Sequence, residues 1–280
     1  MIRKKLLSLL IIIVIVGSLH ATDKTRPLNI IFFGNSFTLG SGDNQVKKVI
    51  GGIPGLVTRM AEGMGIPAPN VERALKGGKS LEFHMKEHSI LIDKPADQVF
   101  NKYEKPIQWD VMVLQEYSTR PLSIPKVGRF DLTLRYAEEL VAKGKSLNSN
   151  MRTILYQTWA RHESLPKYYP NMFKTPNDFQ NDLIHHYSLL RNHLNKVFRD
   201  QSCDIAPCGL LWQKLNFSKH LYSKDRYHAS AHGSLINAMM IFKRIYHANL
   251  TAEATLPVAK FANVPKENAL EYLKLVNDMK

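Results

Sequence analysis

Two short stretches of the sequence carry residues that together could activate a hydroxyl. One is Gly34-Asn35-Ser36-Phe37-Thr38, the other Asp225-Arg226-Tyr227-His228. A serine hydroxyl is a poor nucleophile until a base takes its proton. An imidazole does this best when a carboxylate holds its tautomer. Asp225, three residues before His228, can bring both side chains to one side of a turn. The chemistry open to such a set is attack on an acyl carbonyl. Each stretch alone is ambiguous, because Ser is also among the best helix N-caps and Asp-x-x-His is a common spacing.

The elements that must position these residues read as an α/β pattern. Leu28 to Phe33 is an apolar run that ends at Gly34-Asn35-Ser36, the mark of a buried strand and a sharp turn. Further strands are expected at Val71 to Leu75, Val111 to Leu114, Thr153 to Tyr156 and from Asp204 to Ala206. Helices are expected around Pro54 to Met64, Phe130 to Ala142, Asp178 to Phe198, Ala229 to Tyr246 and Lys266 to Met279. Short apolar strands alternating with helices predict a parallel sheet covered on both faces. Ligands of such sheets bind at the carboxyl ends of the strands. Ser36, Gly78, Gln115 and Trp159 all follow strand ends, so they are expected to converge on one edge.

On these residues the chain resembles the SGNH (GDSL-type) hydrolase superfamily, and in particular its branch with a Gly-Asn-Ser-Phe-Thr first block. The likeness runs from about Leu28 to Tyr246. The first block matches Gly34 to Thr38, with Asn35 where many members carry Asp. The glycine of the second block matches Gly78 in Gly77-Gly78-Lys79-Ser80-Leu81, and the last block matches Asp225 to His228, followed by Ser230 and Gly233. Where the third block usually has Gly-x-Asn-Asp, this chain has Val113-Leu114-Gln115-Glu116. The resemblance implies a flavodoxin-like three-layer α/β/α sandwich with a parallel five-stranded sheet. It also implies hydrolysis of esters, often acetyl esters on carbohydrates, without a metal or organic cofactor. Ser36 becomes the nucleophile, His228 the base and Asp225 its orienting acid. The oxyanion hole would use the backbone N–H groups of Ser36 and Gly78 with the side-chain amide of Gln115. Asn35 and Trp159 are the candidate substrate contacts, Trp159 either stacking on a sugar or packing in the core. Arg161 reads as a surface cation and Glu116 as a turn cap.

Composition sets the frame. The 280 residues are 44% hydrophobic and 22% charged, ordinary for a globular chain. Arg3, Lys4 and Lys5, then the apolar run Leu6 to Val16, then Gly17-Ser18-Leu19-His20-Ala21 have the anatomy of a signal peptide. We therefore expect residues 1–21 to be removed, an exported (periplasmic or secreted) mature protein near Thr22 onward, and one domain over 22–280. Loss of those three cations lowers the formal charge from +14 to +11. The remaining basic residues are scattered rather than clustered, which argues for a solvated surface rather than a nucleic-acid partner. Cys203 and Cys208, if the chain between them is extended, lie about 16 Å apart at ~3.3 Å per residue, too far for a disulfide. They read as buried thiols. The pairs His228/His232 and His84/His88 have zinc-ligand spacing, but no third ligand accompanies either. The partner expected is a small-molecule or carbohydrate ester. The rivals are a non-catalytic glycan-binding protein on the same fold and a related acyl transferase or lipolytic enzyme; the latter lacks an obvious apolar lid segment.

Overall fold

The computed structural model describes residues 25–93 and 107–280; the signal-like segment falls outside them. Five strands form the expected sheet: β1 (Asn29–Gly34), β2 (Asn70–Leu75), β3 (Val111–Leu114), β4 (Arg152–Tyr156) and β5 (Cys203–Ala206). All neighbouring pairs are parallel, in the order β2-β1-β3-β4-β5. In β3 every side chain is buried, as a strand packed on both faces requires. The change of direction in strand order falls between β1 and β3, where the crevice rule places a ligand.

The helices form two layers. On one face α1 (Gly52–Gly63) packs with three C-terminal helices, Ala231–Tyr246, Ala252–Phe261 and Lys266–Asp278. On the other, Leu81–Glu87, Phe130–Leu147 and Pro176–Phe198 lie together. Helix boundaries follow local chemistry. Thr175 and Asp178 form a capping box at the start of Pro176–Phe198, with Pro176 in the first turn. Ser230 caps Ala231–Tyr246 by accepting from the N–H of Gly233. Helices that escaped the sequence pattern include Leu81–Glu87, Cys208–Lys214 and Ala252–Phe261. The first two are only seven residues long, and the third carries Pro257 in its interior.

Between β1 and α1 the chain makes a series of turns from Ser36 to Gly42 and one stretch of π-helix, Gln45–Ile50. Ser36 therefore caps no helix. Its hydroxyl makes no hydrogen bond among the described residues.

Cys203 opens β5 and Cys208 opens the following helix; both are buried free thiols. Burial raises both pKa values, because an apolar surround opposes the thiolate. Native protein is expected to react negligibly with a thiol reagent, whereas denatured protein should release two equivalents. Rapid modification of the native chain would contradict this packing.

Candidate active site

The turn that carries Ser36 is built by polar braces below it. Gln115 follows β3, and its Oε1 accepts from the Asn35 backbone N–H at 3.0 Å and from Thr38 Oγ1 at 2.9 Å. Its Nε2 donates to the Glu116 carbonyl at 2.6 Å. The side chain is wholly buried. This corrects the expectation that Gln115 supplies an oxyanion donor: its amide is spent on holding the turn, and no substrate atom can reach it in this arrangement. Asn35 is likewise a brace and not a substrate contact. It is buried, its Nδ2 donates to the Lys79 carbonyl at 3.0 Å, and its Oδ1 accepts from the Phe37 N–H at 3.2 Å. The bond to Lys79 ties the Ser36 turn to the loop that carries Gly78.

Gly78 is exposed and has φ +69°, a left-handed backbone that glycine adopts freely. Neither its N–H nor that of Ser36 makes a hydrogen bond among the described residues. Two backbone donors are thus left free, one in the Ser36 turn and one in the loop tied to it through Asn35 and Lys79. Ser36 itself is half-buried.

His228 lies on a hairpin tip closed by the antiparallel pairing of Tyr222 with Ala229 and by the bond from Ser223 N–H to the His228 carbonyl at 2.9 Å. Asp225 sits inside this tip. Its Oδ1 accepts from Ser223 Oγ at 2.6 Å and from the N–H groups of Tyr227 and His228, both at 2.9 Å. Its Oδ2 meets His228 Nδ1 at 2.6 Å. Partial burial works against the ionised carboxyl. Those donors outweigh it and hold its pKa down to about 2. The ionised Asp225 assigns the proton of a neutral His228 to Nδ1 and leaves Nε2 as the acceptor. That Nε2 is buried and has no hydrogen-bond partner among the described residues.

The two loops touch. A Cβ on Gly42 would lie 2.1 Å from the Ala229 carbonyl oxygen and 2.8 Å from His228 Cβ. The Phe37 ring meets the His228 ring edge-on at 5.5 Å between centroids. The segment after β4 secures the arrangement: Trp159 Nε1 donates to the Tyr227 carbonyl at 3.3 Å, Tyr222 Oη donates to the Ala160 carbonyl at 2.8 Å, and His162 N–H donates to the Arg226 carbonyl at 3.3 Å.

Trp159 is a core residue and not a sugar platform. It is fully buried, stacked on Phe37 at 4.4 Å and on Trp212 at 4.3 Å between centroids. Both faces of its indole are therefore occupied. Arg161 is not a surface cation either but wholly buried. No alternation in the sequence marks either, since the whole run Gln157 to Arg161 is buried. The histidine pairs go elsewhere. His232 Nδ1 meets Tyr272 Oη at 3.0 Å. His84 is buried with Nε2 2.8 Å from the Gly34 carbonyl and Nδ1 2.9 Å from His88 Nδ1. Burial, with His88 nearby, pushes the His84 pKa down to about 4, so it is neutral and donates to that carbonyl. Among the described residues no three His, Cys, Asp or Glu side chains gather as a metal site.

Glu116 is the turn cap expected, but a buried one. Its carboxyl accepts from the N–H groups of Leu81 at 3.1 Å and Tyr117 at 2.5 Å, which fixes the helix after Gly78 against the end of β3. Burial outweighs these donors and lifts its pKa to about 7.

No family model matches the chain, and no curated protein matches it in sequence. Solved structures do. A protein from Slackia heliotrinireducens classed as an SGNH hydrolase superposes with a TM-score of 0.54 at 17% identity, covering 78% of this chain and 98% of that one. A lipase/acylhydrolase from Enterococcus faecalis gives 0.52 at 15% identity over 79% of this chain and 96% of that one. A family 3 carbohydrate esterase from Talaromyces cellulolyticus gives 0.50 at 10% identity over 79% and 97%.

Two outcomes test this geometry. Replacing Gly42 by Ala should push the His228 loop away, and a displacement of about 1 Å is expected to cost roughly 10²-fold in turnover. Turnover of an aryl ester with little change in melting temperature is the measurement. Glu116 binds its proton more tightly in the folded than in the unfolded chain, so stability should fall as pH rises from about 4.5 to about 7. Glu116→Gln should flatten that slope in urea titrations across this range; an unchanged slope would exclude Glu116 as its source.

In architecture, then, the described chain has the five-stranded α/β fold of the SGNH hydrolases.

Proposed function

We propose that the protein is a serine esterase acting on carboxylic esters of carbohydrates or small molecules, acetyl esters foremost. The observation that carries this reading is the pairing of a free hydroxyl with a base of fixed tautomer. Ser36 Oγ is unbonded, His228 Nε2 is a buried acceptor without a partner, and their loops are in contact through Gly42 and Phe37. A structural histidine would normally have both nitrogens satisfied.

In this mechanism His228 Nε2 takes the Ser36 proton as Oγ attacks the acyl carbon. The carbonyl oxygen becomes an oxyanion, received by the backbone N–H groups of Ser36 and Gly78. His228⁺, held by Asp225, then donates its proton to the leaving alcohol. Water then attacks the acyl-enzyme as His228 takes one of its protons; the acyl–Oγ bond breaks, His228 returns that proton to Ser36 Oγ, and the acid leaves. Everything required is supplied by the chain itself. The carbohydrate side of the proposal draws on the similarity to the fungal carbohydrate esterase. Export is inferred from residues 1–21, whose charge and apolar run read as a signal peptide.

The burial of Gln115 favours a second reading, a glycan-binding protein that has lost turnover. Removing one oxyanion donor costs on the order of 10²–10³ in rate, which weakens an esterase but does not silence it.

The deciding experiment combines a fluorophosphonate probe with an aryl acetate. Wild type should label and turn over; Ser36→Ala should abolish labelling, and His228→Ala should remove most turnover. Asp225→Asn should lower kcat by about 10⁴ through the wrong tautomer while leaving the fold intact. Labelling that survives Ser36→Ala, or none in wild type, would leave only the binding reading.

A further inference from the structure

Arg161 takes no part in the reaction proposed for Ser36 and His228. Its guanidinium is wholly buried, yet no carboxylate of the described residues lies within ion-pair distance. One terminal nitrogen donates to Ser118 Oγ, while Nε and the other terminal nitrogen have no partner. What surrounds the cation is aromatic. Its central carbon lies 4.1 Å from the centroid of the Tyr227 ring, 5.1 Å from that of Phe37 and 5.6 Å from that of Tyr168. A guanidinium stays charged at any ordinary pH. Burying it without a counter-charge is costly, and an arrangement that persists at such a cost is a candidate for function rather than stability.

The residues it holds are telling. Phe37 directly follows Ser36, Tyr227 directly precedes His228, and Ser118 belongs to the loop after β3. The Phe37 and Tyr227 rings meet edge-on at 5.4 Å between centroids, and they stand edge-on to the His228 ring at 5.5 Å and 4.5 Å respectively. One planar cation therefore joins the nucleophile turn to the base loop. Since no surface of Arg161 is open, a substrate does not touch it without displacing Phe37 or Tyr227.

Building on the esterase reading, we propose that Arg161 is a positioning residue of this site. It clamps Phe37 to Tyr227, so setting the approach of His228 to Ser36.

Arg161→Met keeps much of the volume and removes the charge and the plane. Arg161→Lys keeps the charge. Tyr227→Leu removes one jaw of the clamp on a half-exposed residue and serves if the Met variant does not fold. The measurements are melting temperature, kcat and KM on an aryl acetate, and the rate of fluorophosphonate labelling at Ser36. Arg161→Met is expected to melt near or above wild type, because a buried charge without a carboxylate partner has been removed. Its kcat and labelling rate should fall by about 10–100-fold, as a misplaced catalytic pair would, with KM nearly unchanged. Arg161→Lys should recover part of kcat, and Tyr227→Leu should lower kcat in the same sense. In the double variant Arg161→Met/Tyr227→Leu the two losses should be less than additive, since both break one clamp.

A Met variant with wild-type kcat overturns the proposal. So does a loss confined to KM, which would make Arg161 a substrate contact. A loss of kcat that merely tracks a collapse in melting temperature, with additive effects from Tyr227→Leu, would reduce Arg161 to a structural part. If wild type itself shows no Ser36-dependent labelling, the esterase reading fails first, and that failure is visible before any Arg161 variant is made.

Discussion

The stacked rings of Phe37, Trp159 and Trp212 are the contact on which the rest of the site depends. Trp159 stands just beyond β4 and presents one face to each neighbour, at 4.4 Å and 4.3 Å between centroids. Phe37 brings with it the turn that follows β1. Trp212 belongs to the helix after β5 and is itself bound, through Nε1, to Asn237 Oδ1 at 2.9 Å in the long C-terminal helix. Elements from four distant parts of the chain thus share one apolar column. Aromatic stacking of this kind adds roughly 0.5–1.5 kcal/mol per pair beyond area burial, and the geometry it enforces matters more than the energy.

Around that column the polar groups divide into those consumed by the fold and those left over. Gln115, Asn35 and Glu116 spend their hydrogen-bonding capacity on the backbone of the turns that carry Ser36 and Gly78. The groups left over at these loops include the Ser36 hydroxyl, the backbone N–H groups of Ser36 and Gly78, His228 Nε2 and two nitrogens of Arg161. Buried polar groups in a settled fold are normally satisfied. His228 and Arg161 are joined through Phe37 and Tyr227, whereas the other unpartnered buried groups, such as those of Thr153, Ser234 and Thr255, are spread through the fold. Cavities of several hundred cubic ångströms lie elsewhere. One of about 490 Å³, lined by Arg191, Lys196, Cys203 and His247 among others, opens at the start of β5, the opposite end of the strand from Ala206 and the Gln157–Arg161 segment. Chemistry, not cavity size, marks the site in this chain.

Much of this was legible before the fold was known, for a physical reason. Strands covered on both faces must be continuously apolar, so Ile30 to Phe33, Val111 to Leu114 and Ile154 to Tyr156 announce themselves, and β3 keeps its expected bounds. The hydrogen bond between Asp225 and His228 was legible because the two residues are close in sequence. The short helices were not, since seven residues give too few turns to show a period, and Pro257 hides an otherwise well-capped helix from Thr251 onward. Side-chain direction at strand ends was also hidden. Gln115 and Trp159 have the chemical types of a donor and a platform, and only the path of the backbone beyond the last ladder bond turns them inward. Arg161 is the extreme case, because nothing local distinguishes a cation that will be enclosed by three rings from one that faces water.

The hairpin that bears Asp225 and His228 has one more implication. The carboxylate that orients the imidazole is also the knot of the hairpin tip, accepting from Ser223, Tyr227 and His228 at once. Acid and base therefore share a single cooperative unit, and thermal opening of the tip removes both together while leaving the sheet closed. Imidazole and carboxylate are therefore held, or released, together. In hydrogen-exchange terms the amides of Tyr227 and His228 should open as one foldon, a breathing motion whose frequency, more than the stability of the sheet, sets how long the base stays in place.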